Sequence, residues 1–246
     1  FNGGLYAVDE WDGNLRETYI NNVDLRWEMF WDRGQNVSAS VFYKDFDAPI
    51  ELVRLTSGVT STEYQPRNVG DGTLYGVEFE FSKSLDILAT ALKDFNISGN
   101  VTLTKSEIIM TESEFNSRKE FEKVRQTIEK TRNMAGQSPY VINGGISYNN
   151  YDTGLSAGLF YNVKGETLSI VGTGVFPDMY VRPFHSLNLS INKNLGEAHN
   201  TSINFKISNI LNQKVEGVFK SFNARPELYN RFNPGRTFSL GISHNF

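Results

Sequence analysis

The 246-residue chain has no cysteine, so neither a disulfide framework nor a thiolate metal site is open to it. Histidine is scarce, and His185, His199 and His244 stand apart from one another. Formal net charge is -4 with Lys and Arg scattered, which removes the basic field that nucleic acid requires. No apolar run approaches the ~20 residues of a spanning helix. That absence excludes membrane helices and leaves barrels open, because a barrel strand gives only every second side chain to lipid. The chain opens at Phe1 with neither initiator Met nor signal segment, which is read as processing or as one piece of a larger protein.

What is present is alternation. In nine segments apolar side chains recur at every second position. The first runs Val23, Leu25, Trp27, Met29, Trp31, with Asp24, Arg26 and Glu28 between. Further segments span 37–44, 75–81, 97–104, 140–148, 155–163, 187–192 and 203–207. The ninth is Phe238, Leu240, Ile242, His244, Phe246. Most reach the ~9–11 residues that a tilted strand needs to cross hydrocarbon. Aromatics (18 Phe, 11 Tyr, 3 Trp) sit near the ends of the apolar faces, as interfacial girdles would.

The connections alternate as well. Residues 31–36, 149–153 and 196–200 read as tight polar turns, and 82–94 is somewhat longer. Residues 45–72, 107–139, 164–184 and 213–235 are long loops. Short periplasmic turns opposite long extracellular loops are the pattern of an outer-membrane barrel, and a soluble sandwich has no reason to show it. The expected fold is all-β: an antiparallel transmembrane barrel over residues 1–246, with 1–18 as a further extracellular loop and a periplasmic C-terminus. Nine strands cannot close antiparallel, and open edges in lipid are costly, so strands N-terminal to Phe1, or another chain, are expected to complete the wall.

Particular residues carry a family resemblance. Asn233, Pro234, Gly235 and Arg236 lead into a final strand ending on Phe246. Asn209, Ile210, Leu211 and Asn212 stand at the top of the penultimate strand. Tyr75, Gly76, Val77 and Glu78 open another, and Pro139 precedes Asn143 in a third. This ending and these motifs resemble the C-terminal barrel of TonB-dependent outer-membrane receptors, with a flavour of large Bacteroidota members. The resemblance implies that these are the last nine of 22 strands. It also implies a plug in the missing N-terminal part, TonB as the energising partner, and active uptake of a siderophore, vitamin, glycan or peptide; a SusD-like lipoprotein partner is compatible with a Bacteroidota receptor, and no residue here demands one. Phe238, Leu240, Ile242, His244 and Phe246 are similar to the signal by which the barrel assembly machinery recognises clients. No cofactor is called for, and lipid is the expected surroundings.

Other constellations are weaker. Thr111 with Glu114, and Ser117 with Glu120, read as capping boxes, and Phe121, Val124 and Ile128 extend helical spacing. They predict a loop helix over 111–132. His185, Ser186 and Asp178 fall at one loop–strand junction, where a surface hydrolase would place them, but no second acid supports them. Asp24, Arg26, Glu28, Glu78, Glu80 and Lys206 face the expected lumen, where they would be hydrated, paired, or in contact with a plug or substrate. A passive porin is the alternative to active import, a surface enzyme a more distant one.

Overall fold

A computed structural model describes residues 14–54, 64–174, 176–196 and 200–245. The chain begins with β1 (Tyr19–Trp31) and β2 (Gln35–Asp47). A hairpin of β3 (Ile50–Arg54) and β4 (Tyr64–Asn68) follows, then β5 (Gly72–Ser84) and β6 (Phe95–Ile109). Helix α1 (Glu112–Lys119) and the two-residue β7 (Thr131–Arg132) lead to β8 (Tyr140–Asn150) and β9 (Leu155–Lys164). Then come β10 (Thr167–Ile170), β11 (Asp178–Val181), β12 (Phe184–Leu195) and β13 (Thr201–Ser208). β14 (Val215–Lys220), β15 (Glu227–Phe232) and β16 (Thr237–His244) complete the chain.

Nine strands form one antiparallel wall in the order β1-β2-β5-β6-β8-β9-β12-β13-β16, with β7 added beside β6. They are the nine alternating segments of the sequence, most of them longer by one to several residues, while the last, β16, ends at His244. The wall is open, with β1 and β16 at its edges.

Register turns the alternation of single strands into continuous faces. Leu25 pairs with Val41, Val41 with Val77, Val77 with Leu103, and Leu103 with Tyr140. Farther along, Ile97, Ile146, Leu159, Leu189, Ile207 and Phe238 make a second such row. The polar residues align likewise on the other side: Arg26, Ser40, Glu78 and Thr102 in one row, Asn100, Asn143, Asn162 and Ser186 in another. Leu25, Leu240 and Ile242 remain about 70% exposed on the apolar face. So large an apolar surface is untenable in water and suits hydrocarbon. Among the described residues no helix is long and apolar enough to cross a membrane.

The tight core lies above the wall, at the long-loop end. Val53, Val69, Ile108, Met134, Leu168 and Val171 are buried together there, with Phe46, Ala135 and Tyr180 packed against them. The long loops thus fold into a layer with secondary structure of its own. β10, β11, β14 and β15 form a four-stranded sheet, and Val53 bridges to Val171 from the β3–β4 hairpin.

The loop helix is shorter than its spacing predicts. Thr111 caps α1 as expected, its hydroxyl accepting from the Glu114 amide. Ser117 does not begin a second helix: it lies inside α1, and its hydroxyl accepts from the Gly174 amide at 2.9 Å in another loop. Beyond Lys119 the backbone turns, with Arg125 at φ 69° and Val124 88% exposed. The spacing of Phe121, Val124 and Ile128 therefore marks no helical face.

Candidate functional surfaces

Two surfaces carry polar chemistry: the loop layer and the polar face of the wall. The loop layer is held by a chain of alternating charges. Glu51 pairs with Arg132 at 2.7 Å, Arg132 with Glu114 at 2.5 Å, Glu114 with Arg118 at 3.2 Å, and Arg118 with Asp178 at 2.9 Å. The last contact is two-pronged, a second guanidinium nitrogen reaching the other carboxylate oxygen at 3.2 Å. Outer acceptors are used too: Glu51 accepts from the Ala135 amide, and Asp178 from the Gly172 amide. The Glu114 side chain is fully buried, so its desolvation is offset only while both arginines stay. One network thereby ties β3, α1, β7 and β11, four pieces of three loops, into a single platform.

Nearby groups follow the same logic. Burial pushes the Tyr180 hydroxyl up to about 12, and the Asp178 carboxylate adds to the rise, so the ring stays neutral beside the network. Arg54, itself buried, stacks on Phe176 at 3.6 Å, and Thr173 donates to the Arg54 carbonyl. On the other flank, hydrogen bonds from Arg231 first and Arg182 second hold the Glu216 carboxyl below the usual carboxylate range. A crevice of about 360 Å³ opens between α1's trailing turn and the loops at 172–178 and 220–222, with Arg118, Lys123, Lys220 and Phe222 on its walls.

The polar face of the wall divides in two. On β1, β2 and β5 it is charged. Arg26 bridges Glu28 at 2.5 Å and Glu80 at 3.0 Å, and reaches the Ser40 hydroxyl. Asp24 and Glu78 lie on the same face. From β6 onward the face is nearly uncharged. Asn143 donates to Asn100 at 2.7 Å and Asn162 donates to Asn143, an amide ladder across three strands. Lys206, the sixth charged residue singled out in the sequence, stands on β13 of this side, opposite Ser190 and Ser239.

The other sequence candidates fall apart or fall on the apolar side. Neighbours on a strand point to opposite faces, so His185 and Ser186 cannot act together. His185 points outward and bonds the Tyr161 hydroxyl at 2.6 Å, while Ser186 points inward and accepts from Asn188. Asp178 is engaged by Arg118. His244 lies outward against Thr201 at 2.7 Å, in line with Phe238, Leu240 and Ile242 on the exposed edge strand. His199 and Phe246 lie outside the described residues. The ion-pair network escaped sequence reasoning: Glu114 was legible as a cap, but nothing local in the sequence points from it to Arg132 or Asp178.

Comparison with known proteins agrees with this architecture. Residues 2–210 match the family described as TonB dependent receptor-like, beta-barrel. Among solved structures, the copper transporter OprC superposes with a TM-score of 0.63 at 16% identity, over 98% of this chain and 33% of that one. The ferric citrate transporter FecA gives 0.62 at 12% identity, over 91% and 31%. A ferric enterobactin receptor mutant, PfeA of Pseudomonas aeruginosa, gives 0.57 at 17% identity, over 94% and 32%. The chain thus spans about a third of those chains. No curated protein matches. With an open antiparallel wall, one lipid-suited face and a folded loop layer at one end, the chain belongs to the TonB-dependent receptor-like β-barrel family of the bacterial outer membrane.

Proposed function

We propose that residues 1–246 form the C-terminal wall and loop platform of a TonB-dependent importer that takes up a scarce solute across the outer membrane. The observation that carries this reading is the union of a lipid-suited face across nine strands with a rigid, charge-stitched loop layer confined to one end. A passive pore needs the first and has no use for so much ordered structure over its mouth. In this reading the long loops face outside and the short turns face the periplasm. Earlier strands join the free edges of β1 and β16, a plug from the same chain fills the lumen, and TonB acts on that plug. The similar structures are transporters or receptors for copper, ferric citrate and ferric enterobactin by their own titles, and they are varied enough that none supplies this chain's solute. Phe238, Leu240, Ile242, His244 and Phe246 would serve as the assembly signal as well as the lipid-facing edge.

The test compares solute uptake in three strains: wild type, one lacking the receptor and one lacking TonB. The same solute should fail to accumulate in both deletions, and the purified full-length receptor should be closed in planar bilayers. A steady open conductance with TonB-independent uptake would establish the passive porin instead. For the terminal strand, Phe246→Ala should lower the amount of assembled receptor in the membrane; an unchanged amount would leave that strand as wall alone.

A further inference from the structure

Three consecutive long loops, 107–139, 164–184 and 213–235, meet around the crevice of about 360 Å³ in the loop layer. Only loop residues line it. It uses neither the polar face of the wall nor the free edges of β1 and β16, so closing the barrel and filling its lumen leave its walls in place. Two contacts between loops fix its shape. The two-pronged Arg118–Asp178 contact ties α1 to β11, and the Lys123 ammonium donates to the Ser221 hydroxyl at 2.7 Å. Gly172 lets the middle loop turn this tightly, since a Cβ there would fall 2.3 Å from the Phe176 carbonyl oxygen. Phe121 and Phe222 stand exposed on the walls.

The charges of the crevice do not balance. Arg118, Lys123 and Lys220 line it against one carboxylate, Asp178. Arg118 is engaged by Asp178 and Glu114. Lys220 is paired with Glu166, its ammonium 5.0 Å from the centre of the Tyr180 ring. Lys123 differs from both: its ammonium meets a neutral hydroxyl and, among the described residues, no carboxylate. An ammonium has three donors, so a ligand carboxylate can join the Ser221 hydroxyl there without displacing it. The rings set the second requirement, because covering them gains the free energy of apolar burial. A neutral sugar would leave the Lys123 ammonium unanswered, and an inorganic anion would leave both rings in water. A volume at the small end of ligand pockets limits the solute to one modest apolar body.

We infer that this crevice binds a small organic carboxylate with an apolar body, Lys123 taking the carboxylate and Phe121 and Phe222 the body. The inference deepens the import reading and rests on it for the crevice facing outside. The binding itself does not need TonB.

The test is saturation-transfer NMR on the purified full-length receptor with three probes: N-acetylphenylalanine, its neutral amide, and acetate. N-acetylphenylalanine should receive saturation, and the other two should bind at least roughly tenfold more weakly, the scale of one charge-assisted hydrogen bond or one buried ring. Lys123→Ala and Phe222→Ala should each weaken the acid by a similar factor, and Lys123→Arg should keep it. Lys214→Ala, outside the crevice, should change nothing, and heat-modifiable gel mobility shows that each variant is folded. On intact cells a membrane-impermeant maleimide should label Ser221→Cys and not wild type, and N-acetylphenylalanine should slow the labelling. Three binding outcomes overturn the inference: no transfer to the acid, the amide or acetate bound as well as the acid, or binding indifferent to Lys123→Ala. Ser221→Cys left unlabelled, or labelled at the same rate with the acid present, overturns it too. TonB-independent uptake would sink the import reading while leaving carboxylate binding measurable, so the two failures are distinct.

Discussion

The Asn209 side-chain amide donates to the Gly235 carbonyl at 2.8 Å and so joins the two ends of the last long loop. The same side chain also donates to the Gln213 carbonyl and accepts from the Gln213 amide, while its backbone amide donates to Asn188 on the neighbouring strand. Asn209 adopts φ 53°, the left-handed region that asparagine tolerates better than other residues with a Cβ. The two sequence signals near the C-terminus, the asparagine after β13 and the glycine before β16, are thus one structural device. Asn209→Ala should destabilise the barrel by roughly 2–4 kcal/mol, combining lost buried hydrogen bonds with backbone strain. Asn209→Gly should recover only the strain part. Urea unfolding in detergent measures both, and equal values for the two variants would refute the hydrogen-bonding role.

The wall was readable because its cause is local. Alternation along Val23–Trp31 or Phe238–His244 separates an apolar side from a polar one whatever the partner strand, and the lengths of the connections are read directly along the chain. The loop sheet was not readable. β10 and β11 are four residues each, too short for a period to emerge, and β11 finds its second partner in β14, a loop away. The crevice was hidden for a similar reason. Lys123 and Ser221 stand 98 residues apart, and only the folded loops set them together.

The loop platform should depend on Glu114 more than on any exposed charge. Removing its charge leaves Arg118 and Arg132 facing each other in a buried site, and breaking such a network costs roughly 3–5 kcal/mol. Because the lesion is confined to the loop layer, Glu114→Gln should leave the wall's global unfolding nearly unchanged. Limited proteolysis of intact cells should instead show new cleavage within residues 110–139. Protease resistance equal to wild type would mean that the hydrophobic cluster around Val53 holds the loops by itself.

Gly76 allows two strands to share one aromatic ring. A Cβ there would come within 2.5 Å of the Phe42 ring and would also press on the Leu103 carbonyl oxygen. Gly76→Ala should therefore lower stability by roughly 1–3 kcal/mol, as overpacking does. Adding Phe42→Ala should relieve only part of the loss, since the carbonyl cannot move aside. A double-mutant cycle on the refolded receptor checks this, and full rescue by Phe42→Ala would show that the ring alone excludes a side chain at Gly76.

Glu216 should make the outer loop sheet sensitive to acid. Arg231 bonds its carboxylate at 2.7 Å from β15, and Arg182 at 2.8 Å from the segment after β11. Its two arginine partners hold its folded pKa below the ordinary carboxylate value, so its contribution is complete above that ordinary value and fades as pH falls through the depressed folded one. Hydrogen exchange of β14 and β15 should accelerate below pH ~4.5, after correction for the intrinsic chemical rate, while the wall strands stay protected. Glu216→Gln cannot titrate, so its β14–β15 protection should be weaker at neutral pH and flat across the same range. If the variant keeps the wild-type acid response, another group governs the loosening and the Arg182–Glu216–Arg231 triad is a bystander.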